Sequence, residues 1–186
     1  VKSGTALRRN GAYPGDTVFV SGTIGDAMIG YQIGRGRFLG IDKDASEFLQ
    51  GRHSLPSPRL NLGQKLHGIA HSAIDVSDGL IADLGHVCDQ SGAGADIQAA
   101  LVPQSDAATM ALLHDPEFAD LRLIWGDDYE LVFTADPSAQ ADVQALAKEL
   151  GIPLTAIGTI TREPGVRVFD AKGTQIPFAK SGFQHF

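Results

Sequence analysis

The chain has 186 residues, 43% hydrophobic and 20% charged, proportions that allow one globular domain, or one domain with an appendage, around a substantial core. A formal net charge of −7 argues against a general nucleic-acid-binding surface, which needs a basic face, and a single cysteine excludes an internal disulfide framework. No apolar run reaches membrane-spanning length and no signal-peptide pattern opens the chain, so no membrane contact and a cytoplasmic location are expected.

Lys2 to Arg9 is a polar lead-in, and Pro14-Gly15 sets a turn before the β-branched and aromatic strand Thr17 to Ser21. Gly22 to Asp26 leads into a helix from about Ala27 to Gly34. The glycines of Gly34 to Gly40 follow a helix and lack the spacing of a dinucleotide fingerprint, so this stretch is a loop. A short helix is expected over Asp44 to Gly51, extended chain from His53 to Arg59 because of Pro56 and Pro58, and a helix from Leu60 to Ala70 with Leu62, Leu66 and Ile69 on one face. That helix feeds a strand ending at Asp75. Leu80, Ile81, Leu84, Val87 and Cys88 then have helical period, and Gly92 or Gly94 stops the helix.

Ala95 to Leu101 is a strand closed by Pro103, Ser105-Asp106 caps a helix through Leu113, and His114 to Leu121 is a loop. An acidic turn at Gly126-Asp127-Asp128 joins a strand over Tyr129 to Thr134. Pro137-Ser138 starts a helix through Leu150 with Val143, Leu146, Ala147 and Leu150 as its buried stripe, and Leu154 to Ile160 and Val166 to Phe169 are strands. Five or six strands in irregular order with as many helices favour an α+β fold, a mixed β-sheet flanked by helices, over a doubly wound one.

Asp75-Val76-Ser77-Asp78-Gly79 lies where a strand turns directly into a helix. Free backbone N–H groups at a helix mouth favour phosphate, and two carboxylates beside them can hold a hard cation such as Mg²⁺. Ser77 or Asp78 is equally a natural N-cap, and the spacing alone leaves both readings open. Asp127 and Asp128 repel one another unless a cation or donor intervenes, or they form a solvated loop. Arg8 and Arg9 can pair with phosphate through their planar forks. His67 and His71 lie four apart without a third zinc ligand, and both a GxSxG elbow and a P-loop are missing, which excludes a serine hydrolase of that type and a Walker-type ATPase.

Arg9-Asn10-Gly11-Ala12 with Pro14-Gly15-Asp16, Ser21-Gly22-Thr23 with Gly25-Asp26, Pro58-Arg59, Asp75 to Leu80 with Asp83-Leu84, Ser91 to Ala95, Gly126 to Leu131 and Gly182 to Phe186 together resemble the thiamine-monophosphate kinase family, in order over nearly the whole chain. Aminoimidazole ribonucleotide synthetase and selenophosphate synthetase share its architecture. The resemblance covers the second half of that family, so residues 1–186 are expected to be a single C-terminal domain without the N-terminal half that carries most metal ligands and the dimer-forming strands.

The resemblance implies Mg²⁺ and ATP as cofactor and co-substrate, thiamine monophosphate as acceptor, and a homodimer formed through the other half. It makes Asp75 and Asp78 magnesium ligands and Arg9 and Ser77 ATP contacts. Asp127 stands where the family has a Glu that contacts the thiamine substrate, Phe183 at an aromatic position that packs on it, and Trp125 where a Gly is usual. The implied reaction needs no general base, because a phosphate acceptor is already ionised near neutral pH; positioning and charge neutralisation carry it. Residues 1–186 alone are then expected to be inactive. A sister synthetase with a different substrate and a non-catalytic ligand-binding or assembly domain of the same fold are the alternatives.

Overall fold

The computed structural model describes residues 6–178. Six strands form one sheet in the order β2-β4-β1-β5-β3-β6, where β1 is Thr17–Ser21, β2 Ser72–Asp75, β3 Gly94–Gln98, β4 Leu131–Ala135, β5 Leu154–Thr161 and β6 Gly165–Phe169. Every pairing is antiparallel except β3 with β6, so the sheet is mixed and the fold is α+β, as expected.

Strand alternation sends side chains to two separate cores. From β1, Val18 and Val20 face the helix α4 (Leu80–Ser91), joining Leu80, Leu84, Val87 and Cys88. Phe19 faces the opposite layer, where α3 (Leu60–Lys65) and α6 (Gln140–Leu150) supply Leu62, Val143 and Leu146. Phe19 lies in register with Phe133 of β4 and their rings stack at 5.2 Å, a cross-strand aromatic pair worth about 0.5–1.5 kcal/mol beyond area burial. A third core joins α1 (Asp26–Gly34), α2 (Lys43–Ser54) and α5 (Asp106–His114) through Met28, Ile29, Leu49 and Ala111. α1 and α2 cross so closely that a Cβ on Gly30 would strike the Leu49 carbonyl.

Three elements depart from the sequence expectations. α2 begins at Lys43, capped by the Asp42 side chain on the Ala45 N–H at 2.9 Å, and continues through His53 to Ser54. Pro56 restricts only Leu55, which leaves the helical region (φ −140°, ψ 74°), and His53 and Ser54 are free to be helical. The helix expected to reach Ala70 ends at Lys65 and relaxes into turns, with Gly68 at φ 83°. The strand expected to reach Leu101 stops at Gln98 and gives way to a 3₁₀ turn over Ala99–Leu101.

Candidate functional site

β2 delivers Asp75 to the sheet end, and backbone hydrogen bonds then prolong its pairing beyond the strand. The Val76 N–H donates to the Glu130 carbonyl (2.8 Å), the Tyr129 N–H to that of Val76 (2.9 Å), and the Asp127 N–H to that of Ser77 (3.0 Å). The two acidic stretches, far apart in sequence, are thereby laid against one another. Gly126 is required at this contact, because a Cβ there would fall on the Ser77 carbonyl group.

The helix mouth is built differently from the expected cap. Gly79 occupies the N-cap position of α4 at φ 118°, and neither Ser77 nor Asp78 caps it through a side chain. Asp83, in the first turn, folds back instead: its Oδ2 accepts from the N–H groups of Ser77 (2.9 Å), Asp78 (2.9 Å) and Gly79 (3.2 Å). Those three donors are spent within the protein, which corrects the expectation that they stay free for phosphate; the Ser77 hydroxyl is what that residue can offer a ligand. Burial raises the Asp83 carboxyl above its usual range, opposed by the Asp78 and Ser77 N–H bonds and reinforced by the charges of Asp78 and Asp75.

Asp127 and Asp128 avoid mutual repulsion by pointing apart. Asp127, at φ 71°, is half exposed and sits 4.0 Å from His53 Nδ1. Asp128 is buried and accepts from the Gly25 (2.9 Å) and Ala27 (3.3 Å) N–H groups at the start of α1, an N-terminal cap supplied from another part of the chain. Burial pushes its carboxyl up to about 8 against those two bonds, with Asp26 raising it further and Arg52 lowering it.

Glu130 is fully buried and holds a charge cluster that sequence reasoning missed. Arg59 clamps it with Nε to Oε2 (2.6 Å) and Nη2 to Oε1 (2.5 Å), Arg52 Nη2 donates to Oε1 (2.9 Å), and Ser21 Oγ donates to Oε2 (2.5 Å). Gly22 has no side chain because a Cβ would collide with this carboxylate. The bond to Glu130 raises Arg59 above the usual guanidinium range despite partial burial. Fixed carboxylates and planar forks of this kind set position more than they add net stability.

Between these loops lies a recess of about 290 Å³ whose loop-borne lining is Ser77, Asp78, Gly126 and Asp127. Tyr31, His53, Trp125 and Tyr129 supply aromatic walls. Arg9 and Asp75 are not in it; they share a neighbouring groove of about 350 Å³ with Leu131. Asp75 and Tyr129 also meet in a further hollow beside Arg59, so Tyr129 borders both sides of the site. Phe183 lies outside the described residues.

For a divalent cation the donor set is mixed. Asp78, Asp83 and His86 bring ligand atoms within 4.8 Å of one another, but Asp83 is committed to three N–H groups and a hard cation prefers oxygen to imidazole. The carboxylates of Asp75 and Asp78 accept no hydrogen bond among the described residues, which leaves their oxygens available to a hard cation, and they border different hollows.

Residues 13–171 match the family described as AIR synthase related protein, C-terminal domain. The chain belongs to that family. Among curated relatives, the thiamine-monophosphate kinase of Escherichia coli K12 is 42% identical over the whole of this chain and 57% of that protein. The solved thiamine-monophosphate kinase of Stenotrophomonas maltophilia superposes with a TM-score of 0.84 at 41% identity, covering 90% of this chain and 54% of that one. A structure described as AaThiL complexed with AMPPCP and TMP gives a TM-score of 0.79 at 28% identity, over 97% of this chain and 54% of that one. The resemblance read from the sequence is thus borne out, and this AIR synthase related domain spans about half the length of the relatives it matches. Among its described residues no helix is long and apolar enough to cross a membrane.

Proposed function

We propose that this domain forms the acceptor side of an ATP- and Mg²⁺-dependent kinase that converts thiamine monophosphate to thiamine diphosphate. The observation that carries the reading is the backbone-locked pairing of the Ser77-Asp78 and Gly126-Asp127 loops around one recess, beside the groove that holds Arg9 and Asp75. The names of the relatives and the AMPPCP and TMP held by AaThiL support it.

The acceptor phosphate oxygen forms a new P–O bond to the γ-phosphorus, and the β–γ bridging oxygen leaves with its electron pair as part of ADP. The acceptor is already an anion, so no residue need remove a proton at the reacting oxygen; the barrier lies in bringing two polyanions into line. Arg9 offers a guanidinium fork to ATP phosphates, and the Ser77 hydroxyl a hydrogen bond. Asp75 and Asp78 would hold Mg²⁺, which supplies charge neutralisation when bound. Asp127 is assigned to the thiamine substrate, the aromatic walls offer stacking faces to its cationic thiazolium, and Phe183 is assigned to the same substrate. The metal ligands expected of the remaining half of such a kinase complete this set, together with subunit pairing, so residues 1–186 alone are assigned no turnover.

The test is an ADP-release assay on the complete natural polypeptide with Mg-ATP and thiamine monophosphate. ADP formation dependent on thiamine monophosphate is expected. Tight binding of both ligands without turnover would favour the non-catalytic alternative, and turnover with a different acceptor only would favour a sister synthetase.

A further inference from the structure

His53, near the end of α2, places its ring beside Asp127 in the wall of the recess. Its Nδ1 is buried and has no hydrogen-bond partner among the described residues. Asp127 Oδ2 is 4.0 Å away, too far for a direct hydrogen bond. The ring is held edge-on to Tyr31 with centroids 5.4 Å apart, and Tyr31 lies 5.7 Å from Trp125, so two aromatic faces flank the gap.

A buried polar atom left unpaired costs about 1–3 kcal/mol, which a ligand that satisfies it recovers on binding. With the ring proton on Nε2, Nδ1 is an acceptor, and the Asp127 carboxylate is another. Two acceptors 4.0 Å apart beside aromatic faces suit one nitrogen bearing two hydrogens on a flat ring, each hydrogen serving one acceptor. A hydroxyl or carbonyl in that place satisfies at most one of them.

We propose that His53 Nδ1 and Asp127 Oδ2 together bind an exocyclic aromatic amine, that of the substrate's aminopyrimidine ring, with Tyr31 and Trp125 as the wall beside it. His53 is then a specificity-determining residue, selecting an amino over an oxo pyrimidine. The assignment rests on thiamine monophosphate being the substrate.

The experiment compares thiamine monophosphate with its 4-oxo analogue, oxythiamine monophosphate, on the complete natural polypeptide, reading kcat and KM for turnover and Kd by calorimetry. The wild type should favour the amine. His53→Phe keeps a flat ring against Tyr31 and should raise KM and Kd for thiamine monophosphate by about tenfold or more, with kcat within about threefold and the oxo analogue moved less than about twofold. His53→Asn, which restores a short acceptor, should recover part of the loss.

An unchanged KM and Kd in His53→Phe, or an equal rise for both compounds, overturns the proposal. If His53→Phe does not fold, the wild-type ratio decides, and equal affinity for the two compounds overturns it. Absence of ADP release from the wild type with either compound is the separate failure of the kinase reading; the calorimetric comparison still reads the amine contact.

Discussion

The Asp127 N–H donates to the carbonyl oxygen of Ser77 at 3.0 Å, so the two acidic loops behave as one rigid piece continuing the β2–β4 ladder. Site geometry therefore depends on backbone approach at Gly126. Gly126→Ala places a methyl group on the Ser77 carbonyl group, which cannot rotate away. We expect a loss of roughly 3 kcal/mol, the upper end for overpacking, read by urea unfolding, with thiamine monophosphate affinity falling in parallel. An unchanged denaturation midpoint would show that the loops separate easily.

The elements read correctly from sequence are those whose signals are local. β1 and α4 were legible because alternation and helical period are written in consecutive residues, and the αL glycine at Gly92 stops α4 as expected. α2 runs past the expected end at Gly51 because Pro56 restricts only the residue before it, Leu55. At the site, the acidic stretches at Asp75 and Asp127 stood out by composition, yet nothing local distinguished Asp127, which faces the recess, from Asp128, which caps α1. Glu130 was invisible as a hub because its partners Ser21, Arg52 and Arg59 lie 109, 78 and 71 residues away. The role of Asp83 is set by the chain before α4 folding over it, which no local pattern around Asp83 encodes.

Glu130→Gln keeps the size of the side chain and leaves the Arg59 guanidinium against a neutral amide, while Arg52 keeps Asp26 at 3.5 Å. Breaking one partner of a buried charge cluster costs about 3–5 kcal/mol, so a loss of that order is expected in chemical denaturation. A change under about 1 kcal/mol would mean that water reaches Arg52 and Arg59 more freely than their partial burial suggests.

Asp128 gives the fold a pH dependence. Its folded-state carboxyl, raised to about 8, holds a proton that the unfolded chain has released, so the folded state binds more protons between the ordinary carboxylate value and 8. Stability from this group is fully present below the unfolded value and is lost as pH rises toward about 8. Asp128→Asn keeps an acceptor for one of the Gly25 and Ala27 N–H groups, which bond different carboxyl oxygens, and removes the titration. The difference in Tm, variant minus wild type, should therefore grow from pH 5 to pH 8; a difference constant with pH would refute the linkage.

We assign the free carboxylates at the mouth of α4 to phosphoryl transfer and not to the fold. That role is tested by steady-state turnover of the complete natural polypeptide carrying Asp75→Asn or Asp78→Asn, with Tm measured alongside. Each substitution should lower kcat/KM by about a hundredfold or more while Tm stays within about 3 °C, because neither carboxylate holds a hydrogen bond among the described residues. Turnover within about threefold of wild type in both variants would contradict the assignment.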